Sequence, residues 1–176
     1  MNVFVLNTGR CGSTTFIKAC RHITNYSAAH ESLLTQPGPE RLSYPENHIE
    51  ADNRLAWFLG RLQQKYADDA FYVHLKREPA RVITSFAKRI DFGILKAYEQ
   101  GILMHEKHLK PAEDIARDYV ETVNTNIELF LKDKTKKMDF RIETARSDFT
   151  GFWNAIEAQG DLESALKEWD INYNAS

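Results

Sequence analysis

The sequence predicts an α/β fold of three layers, a mostly parallel sheet with helices on both faces, formed by residues 1–176 as a single domain. Three observations carry the prediction. Short runs of branched and aromatic residues alternate with longer stretches whose apolar residues recur at helical spacing. The first such run, residues 2–7, passes directly into Thr8-Gly9-Arg10-Cys11-Gly12-Ser13-Thr14-Thr15, a glycine-bearing turn before a helix that starts on hydroxyl residues. A chain of 176 residues that is 43% hydrophobic can fill one core, and no repeat or linker divides it.

The elements follow in order. Residues 2–7 read as a short buried strand. Residues 14–22 read as the first helix, with Phe16, Ile17 and Cys20 toward the core. A second short strand spans 25–30 and ends at His30-Glu31-Ser32. Residues 36–45 hold three prolines and a glycine and read as a surface loop. Residues 47–51 are a brief extended piece. Asp52 or Asn53 then caps a strong helix whose stripe is Leu55, Phe58, Leu59, Leu62 and Tyr66. Residues 70–76 form a strand that ends at Arg77-Glu78-Pro79, and Pro79 opens a helix buried through Val82, Ile83, Phe86 and Ile90. A weaker helical stretch covers 94–104. Pro111 opens a helix to about residue 131, with Ile115, Tyr119, Val123, Ile127 and Phe130 inward. Residues 137–142 look like a late strand. Thr144 caps a helix with Phe149, Phe152, Trp153 and Ile156 as its stripe, Gly160 breaks it, and Leu162, Leu166 and Trp169 mark a last short helix.

Ligands of such sheets bind beyond the carboxyl ends of the strands. That rule puts the 8–15 turn, the His30-Glu31 pair and the 77–79 turn on one rim. The first of these has the layout of a phosphate cradle. Glycines let the backbone turn tightly, and the helix start presents N–H groups and the positive dipole end to an anion. Ser13, Thr14 and Thr15 add hydroxyl donors, and Arg10 adds a fixed charge. The net charge of −2 gives no global attraction to nucleic acid or to a membrane surface, so an anion site here is local. No apolar run reaches the roughly 18 residues of a membrane span, and no signal peptide is visible. Cys11 and Cys20 are too few for a disulfide framework and too close for a zinc pattern, so a cytoplasmic setting is the default expectation and no metal is expected.

An ATP- or GTP-binding loop needs a lysine after its second glycine, and Gly12 is followed by Ser13. A cysteine phosphatase would need an arginine six places after its nucleophile, where Ile17 stands. Gly9-Arg10-Cys11-Gly12-Ser13-Thr14-Thr15 instead resembles the 5′-phosphosulfate loop of sulfotransferases that use 3′-phosphoadenosine 5′-phosphosulfate (PAPS). Arg77, Pro79 and Ser85 match that family's second signature, a strand ending in Arg-x-Pro with a serine six positions after the proline. The resemblance implies a P-loop nucleoside-triphosphate-hydrolase-like fold and sulfuryl transfer from PAPS to a hydroxyl or amine. It implies that Gly9 through Thr15 hold the 5′ end, that Arg10 also offsets charge on the leaving oxygen, and that Arg77 and Ser85 bind the 3′-phosphate.

The family's base is a histidine or a glutamate. Glu31 is the first candidate here and His30 the second, with Glu50, Asp52 and His48 behind them. The remaining histidines, His22, His74, His105 and His108, read as structural or solvated. The chain is short for this family and lacks its late Arg-Lys-Gly segment, for which Lys134, Lys136, Lys137, Arg141 or Arg146 is the stand-in. The acceptor, a small molecule, glycan or lipid, is expected against residues 36–45, against Asn53, Arg54 and Trp57, and against 88–110 with the mild basic cluster Lys88, Arg89, Lys96, Lys107 and Lys110. Two other function classes stay open. One is a P-loop-type kinase or nucleotide hydrolase with a degenerate loop. The other is a non-catalytic nucleotide-binding module.

Overall fold

A computed structural model describes residues 1–106 and 109–171. Its sheet has five strands: β1 (Val3–Leu6), β2 (Ser27–His30), β3 (His48–Ala51), β4 (Phe71–Lys76) and β5 (Lys137–Arg141). Every pairing is parallel, in the order β2-β3-β1-β4-β5. The sheet is therefore wholly parallel. β1 lies at its centre, with Val3 level with Ile49 on one side and Phe71 on the other. Covered on both faces, β1 has all four residues buried and reads as a continuous apolar run.

Seven α-helices are described: α1 (Ser13–Cys20), α2 (Leu59–Tyr66), α3 (Pro79–Ala87), α4 (Gly93–Ala97), α5 (Ala112–Leu131), α6 (Ala145–Ala155) and α7 (Leu162–Lys167). α1, α6 and α7 pack together on one face, where Phe16 meets Phe140, Phe149, Phe152 and Trp169 at centroid distances of 5.0–6.1 Å. α3, α4 and α5 pack on the other face. There Phe4 touches Tyr44, Tyr66 and Tyr72, and Tyr72 meets Phe130 of α5 edge-on. Alternate residues of the central strands thus feed two aromatic cores.

Several local expectations are corrected. The helix expected from residue 52 is split into a 3₁₀ turn, Asn53–Trp57, and α2, with the break at Phe58. Asp52 does cap, its carboxylate accepting from the Arg54 N–H, but it caps the 3₁₀ turn. The 36–45 segment is not all surface loop. Its 3₁₀ turn Gly38–Leu42 buries Leu42 and Arg41. The 94–104 stretch divides into α4 and a single π turn, Tyr98–Ile102. Thr144 makes no side-chain cap bond; its hydroxyl donates to Asp148 at 2.9 Å. α6 ends before Gly160, whose role is close approach. Gly160 (φ 133°) bridges to Ile23, and a Cβ there would sit 2.1 Å from the His22 carbonyl oxygen.

Among the described residues, no helix is long and apolar enough to cross a membrane. Among the same residues, no group of three His, Cys, Asp or Glu side chains is placed to hold a metal ion.

Candidate functional site

β1 ends at Leu6, and the turn after it is fixed from below. Asn7, wholly buried, accepts from the Gly9 N–H at 2.8 Å and donates to the Val5 carbonyl at 3.1 Å. Tyr119 of α5 donates its hydroxyl to the Thr8 carbonyl at 2.8 Å, and Asn53 approaches the same oxygen at 3.4 Å. The backbone then enters the left-handed region at Gly9 (φ 89°), Arg10 (φ 61°) and Gly12 (φ 87°). A Cβ at Gly12 would meet only the tip of the Ile142 side chain, so it is the left-handed φ that calls for glycine here. α1 starts on Ser13 with no side-chain cap and no acid in its first turn. Its leading N–H groups and its dipole therefore address the cleft above.

That cleft has a volume of about 850 Å³ and lies at the carboxyl ends of β1, β2 and β4. It brings together Gly9, Arg10, Gly12 and Ser13–Thr15, the His30-Glu31 pair, Arg77 and Ser85. The two distant motifs interlock directly. Arg10 Nε donates to Ser85 Oγ at 2.9 Å, and Arg77 Nη1 donates to the Arg10 carbonyl at 3.2 Å. Burial, with Arg89 and Arg77 close by, lowers the proton affinity of the Arg10 guanidinium. Six basic side chains line the cleft against one carboxylate, Glu31. In a chain of net charge −2 this is a strongly local positive field.

At the other end, Ser13 Oγ and His30 Nε2 share a hydrogen bond at 2.9 Å. Glu31 (φ 54°) follows, and Arg54 Nη1 stands 3.2 Å from its Oε1. A non-glycine residue in that backbone region stores strain, which surrounding bonds must hold. Here the Glu31 N–H donates to the Ala51 carbonyl at 3.1 Å.

Some residues take other places. The Cys11 thiol turns away from the cleft, 2% exposed, against the Thr8 hydroxyl at 3.2 Å, and burial pushes it toward the protonated form. Only its backbone belongs to the turn. Glu50 and Asp52 are wholly buried and His48 nearly so, and none of them lines the cleft. Lys134, Lys136 and Lys137 lie at the amino end of β5, on the opposite rim, and Arg146 is held by Asp170. Arg141 lines a separate small cleft with Cys11 and Arg77. Of the basic cluster, Lys88 and Arg89 line the main cleft, whereas Lys96 and Lys110 do not. Lys107 and His108 lie outside the described residues. The 36–45 loop and Trp57 are not part of the cleft wall, whereas Asn53 and Arg54 are. His22 pairs with Glu168, and His74 with Asn124.

Arg81 was missed from sequence. It lines the cleft one helical turn before Ser85, a spacing that puts the two on the same face of α3, with Arg77 just before the helix. That spacing was the available signal. Asn7 and Tyr119 were missed as anchors of the turn, and nothing local marks them. No family model matches the chain, and no curated protein matches it, so the cleft is interpreted from its own geometry.

Proposed function

We propose that the protein is a sulfotransferase that moves a sulfuryl group from 3′-phosphoadenosine 5′-phosphosulfate to a hydroxyl or amine. The observation that carries the reading is the direct contact of the two phosphate motifs, Arg10 with Ser85 and Arg77 with the Arg10 carbonyl, at one end of a cationic cleft. The other end holds the two base candidates. The fit to the donor rests on chemistry. The left-handed turn at Gly9, Arg10 and Gly12 and the uncapped helix start suit a phosphate against the backbone. Arg81 and Ser85 on one face of α3, with Arg77 just before that helix, suit a second phosphate. The P-loop-like identity of the sheet is part of this proposal.

In the reaction, the acceptor oxygen or nitrogen forms a bond to sulfur as the bond from sulfur to the phosphate oxygen breaks. The acceptor's proton passes to a base, and the leaving phosphate oxygen gains charge. Arg10 is the cation for that charge. His30 touches the turn through Ser13, and Glu31 is oriented by Arg54. Either takes the proton by reach, and their variants separate the roles.

Calorimetry tests the donor. The protein should bind 3′,5′-adenosine bisphosphate without added metal, and more tightly than adenosine 5′-phosphate or ATP. Equal affinity for the bisphosphate and the monophosphate would remove the sulfotransferase reading. Preference for ATP would return the kinase or hydrolase reading. Tight bisphosphate binding with no transfer to any hydroxyl or amine tried would favour the binding module.

A further inference from the structure

Two wholly buried carboxylates, Glu50 on β3 and Asp52 just after it, stand on the strand beside the base-bearing turn. Burying a carboxylate costs several kcal/mol before its partners are counted, and an apolar residue of like size packs more cheaply. Their bonds show what apolar residues would lose. Glu50 Oε1 accepts from the Ser32 N–H at 2.9 Å, and Oε2 from the Ser32 hydroxyl at 2.6 Å. His48 Nε2 lies 3.0 Å from the same Oε2, and His48 Nδ1 shares a 2.8 Å bond with Ser27. Tyr44 stacks on the His48 ring. Asp52 takes the Arg54 N–H at 2.8 Å on one oxygen and is paired with the buried Arg41 on the other.

Each carboxylate therefore grips the backbone of one member of the surface corner. Glu50 holds the residue after Glu31, and Asp52 holds Arg54, which is the ion-pair partner of Glu31. We infer that Glu50 is the positioning residue of the His30-Glu31 corner, and that Asp52 plays the same part for Arg54. Glu50 keeps the strained turn closed so that His30 reaches Ser13 and Glu31 reaches Arg54. The inference deepens the proposed function, but its geometry is that of the free protein.

The test uses the full chain. The long-range ¹H–¹⁵N spectrum of the His30 imidazole, assigned by its loss in His30→Ala, reports the bond to Ser13 at fixed pH. Ser13→Ala gives the reference signal for that bond broken. Ser32→Ala and Glu50→Gln should both move the His30 signal toward that reference, and Ser32→Thr should restore it. Ser32→Ala should leave the affinity for 3′,5′-adenosine bisphosphate within about twofold, because the hydroxyl–carboxylate bond it removes is not one to the donor and Ser13 keeps its own hydroxyl. If Glu50→Gln does not fold, Glu50→Asp, which draws the carboxylate back by one methylene, takes its place. A His30 signal unchanged both in the Glu50 variant and in Ser32→Ala would overturn the inference, since Ser32→Ala alone leaves the backbone bond to Glu50 in place. A tenfold or larger loss of bisphosphate affinity in Ser32→Ala would overturn it too, since the turn would then be serving the donor. Failure of the wild type to bind the bisphosphate would strike the sulfotransferase proposal alone, because the His30 signal is read without ligand.

Discussion

At one end of the cleft stand the backbone N–H groups and two glycines of a single turn, with arginines from that turn, from the end of β4 and from α3. At the other end, His30 and Glu31 depend on partners that lie 17 and more residues away in sequence. The turn at the first end takes its path from its own glycines, and Arg77, Ser85 and Tyr119 brace it from 67, 75 and 111 residues away. The second is held by side chains reaching across strands. The contrast teaches that an anion site can be read from contiguous sequence, while the placement of a base is a property of the packed sheet. It also predicts that the two ends can be damaged separately.

The largest separation is expected in turnover. His30→Ala or Glu31→Gln should lower sulfuryl transfer by roughly 10²–10⁴ while bisphosphate affinity stays near wild type. Release of 3′,5′-adenosine bisphosphate, measured across a panel of hydroxyl and amine acceptors, is the readout. Near-normal turnover in both variants would end the assignment of the base to this corner.

Beneath the donor end lies a second lever, on stability. Burial, and then the neighbouring Lys76, push His74 down to about 4; Asn124 and Asp139 oppose this only in part. The unfolded chain then binds a proton that the native state refuses. The stabilising contribution of neutral His74 is full above pH ~6.5 and is lost as pH falls toward 4, by about 3 kcal/mol in all. Denaturant unfolding at pH 7 and pH 4.5 should show this loss, and His74→Gln should flatten it. Equal pH dependence in the variant would show that other groups carry it.

Next is the donor contact itself. Arg77→Ala should cut the preference for the bisphosphate over adenosine 5′-phosphate by about 30- to 100-fold, the size of a lost bidentate charged contact. Calorimetry with both nucleotides measures it, and a preference left intact would move the second phosphate away from α3. The smallest effect belongs to the underside of the turn. Tyr119→Phe removes one buried hydrogen bond to the Thr8 carbonyl and should cost about 1 kcal/mol of stability with a modest loss of affinity. A stability loss with no change in affinity would show that the turn keeps its shape without that bond.

The same contrast explains what was legible from sequence. The alternation that predicted the parallel sheet rests on runs such as 3–6 and 71–76, which are apolar because both faces are covered. The cradle was legible because strand, glycines and hydroxyls are adjacent. The helix expected from residue 52 is broken at Phe58, where the 3₁₀ turn capped by Asp52 gives way to α2, and the continuous apolar stripe carries no mark of that break. Glu50 and Asp52 looked like bases because charge alone does not tell a cleft wall from a core. Only pairing with Val3–Val5 and β2 shows that β3 is interior. The stand-in lysines near 134–137 failed for a topological reason. They precede a strand, and the site lies where strands end.

The position of β1 also bears on how the molecule assembles as it is made. β1 is the first strand of the chain and the central one of the sheet, yet its neighbours are residues 48–51 and 71–76. Phe16, one turn into α1, waits longer still, for Phe149, Phe152 and Trp169. A growing chain therefore carries its cradle sequence exposed and unshaped through most of synthesis, and non-local parallel pairing of this kind is slow to form. The turn after β1 is among the last features to acquire its geometry, so a partly made chain has the motif without its shape.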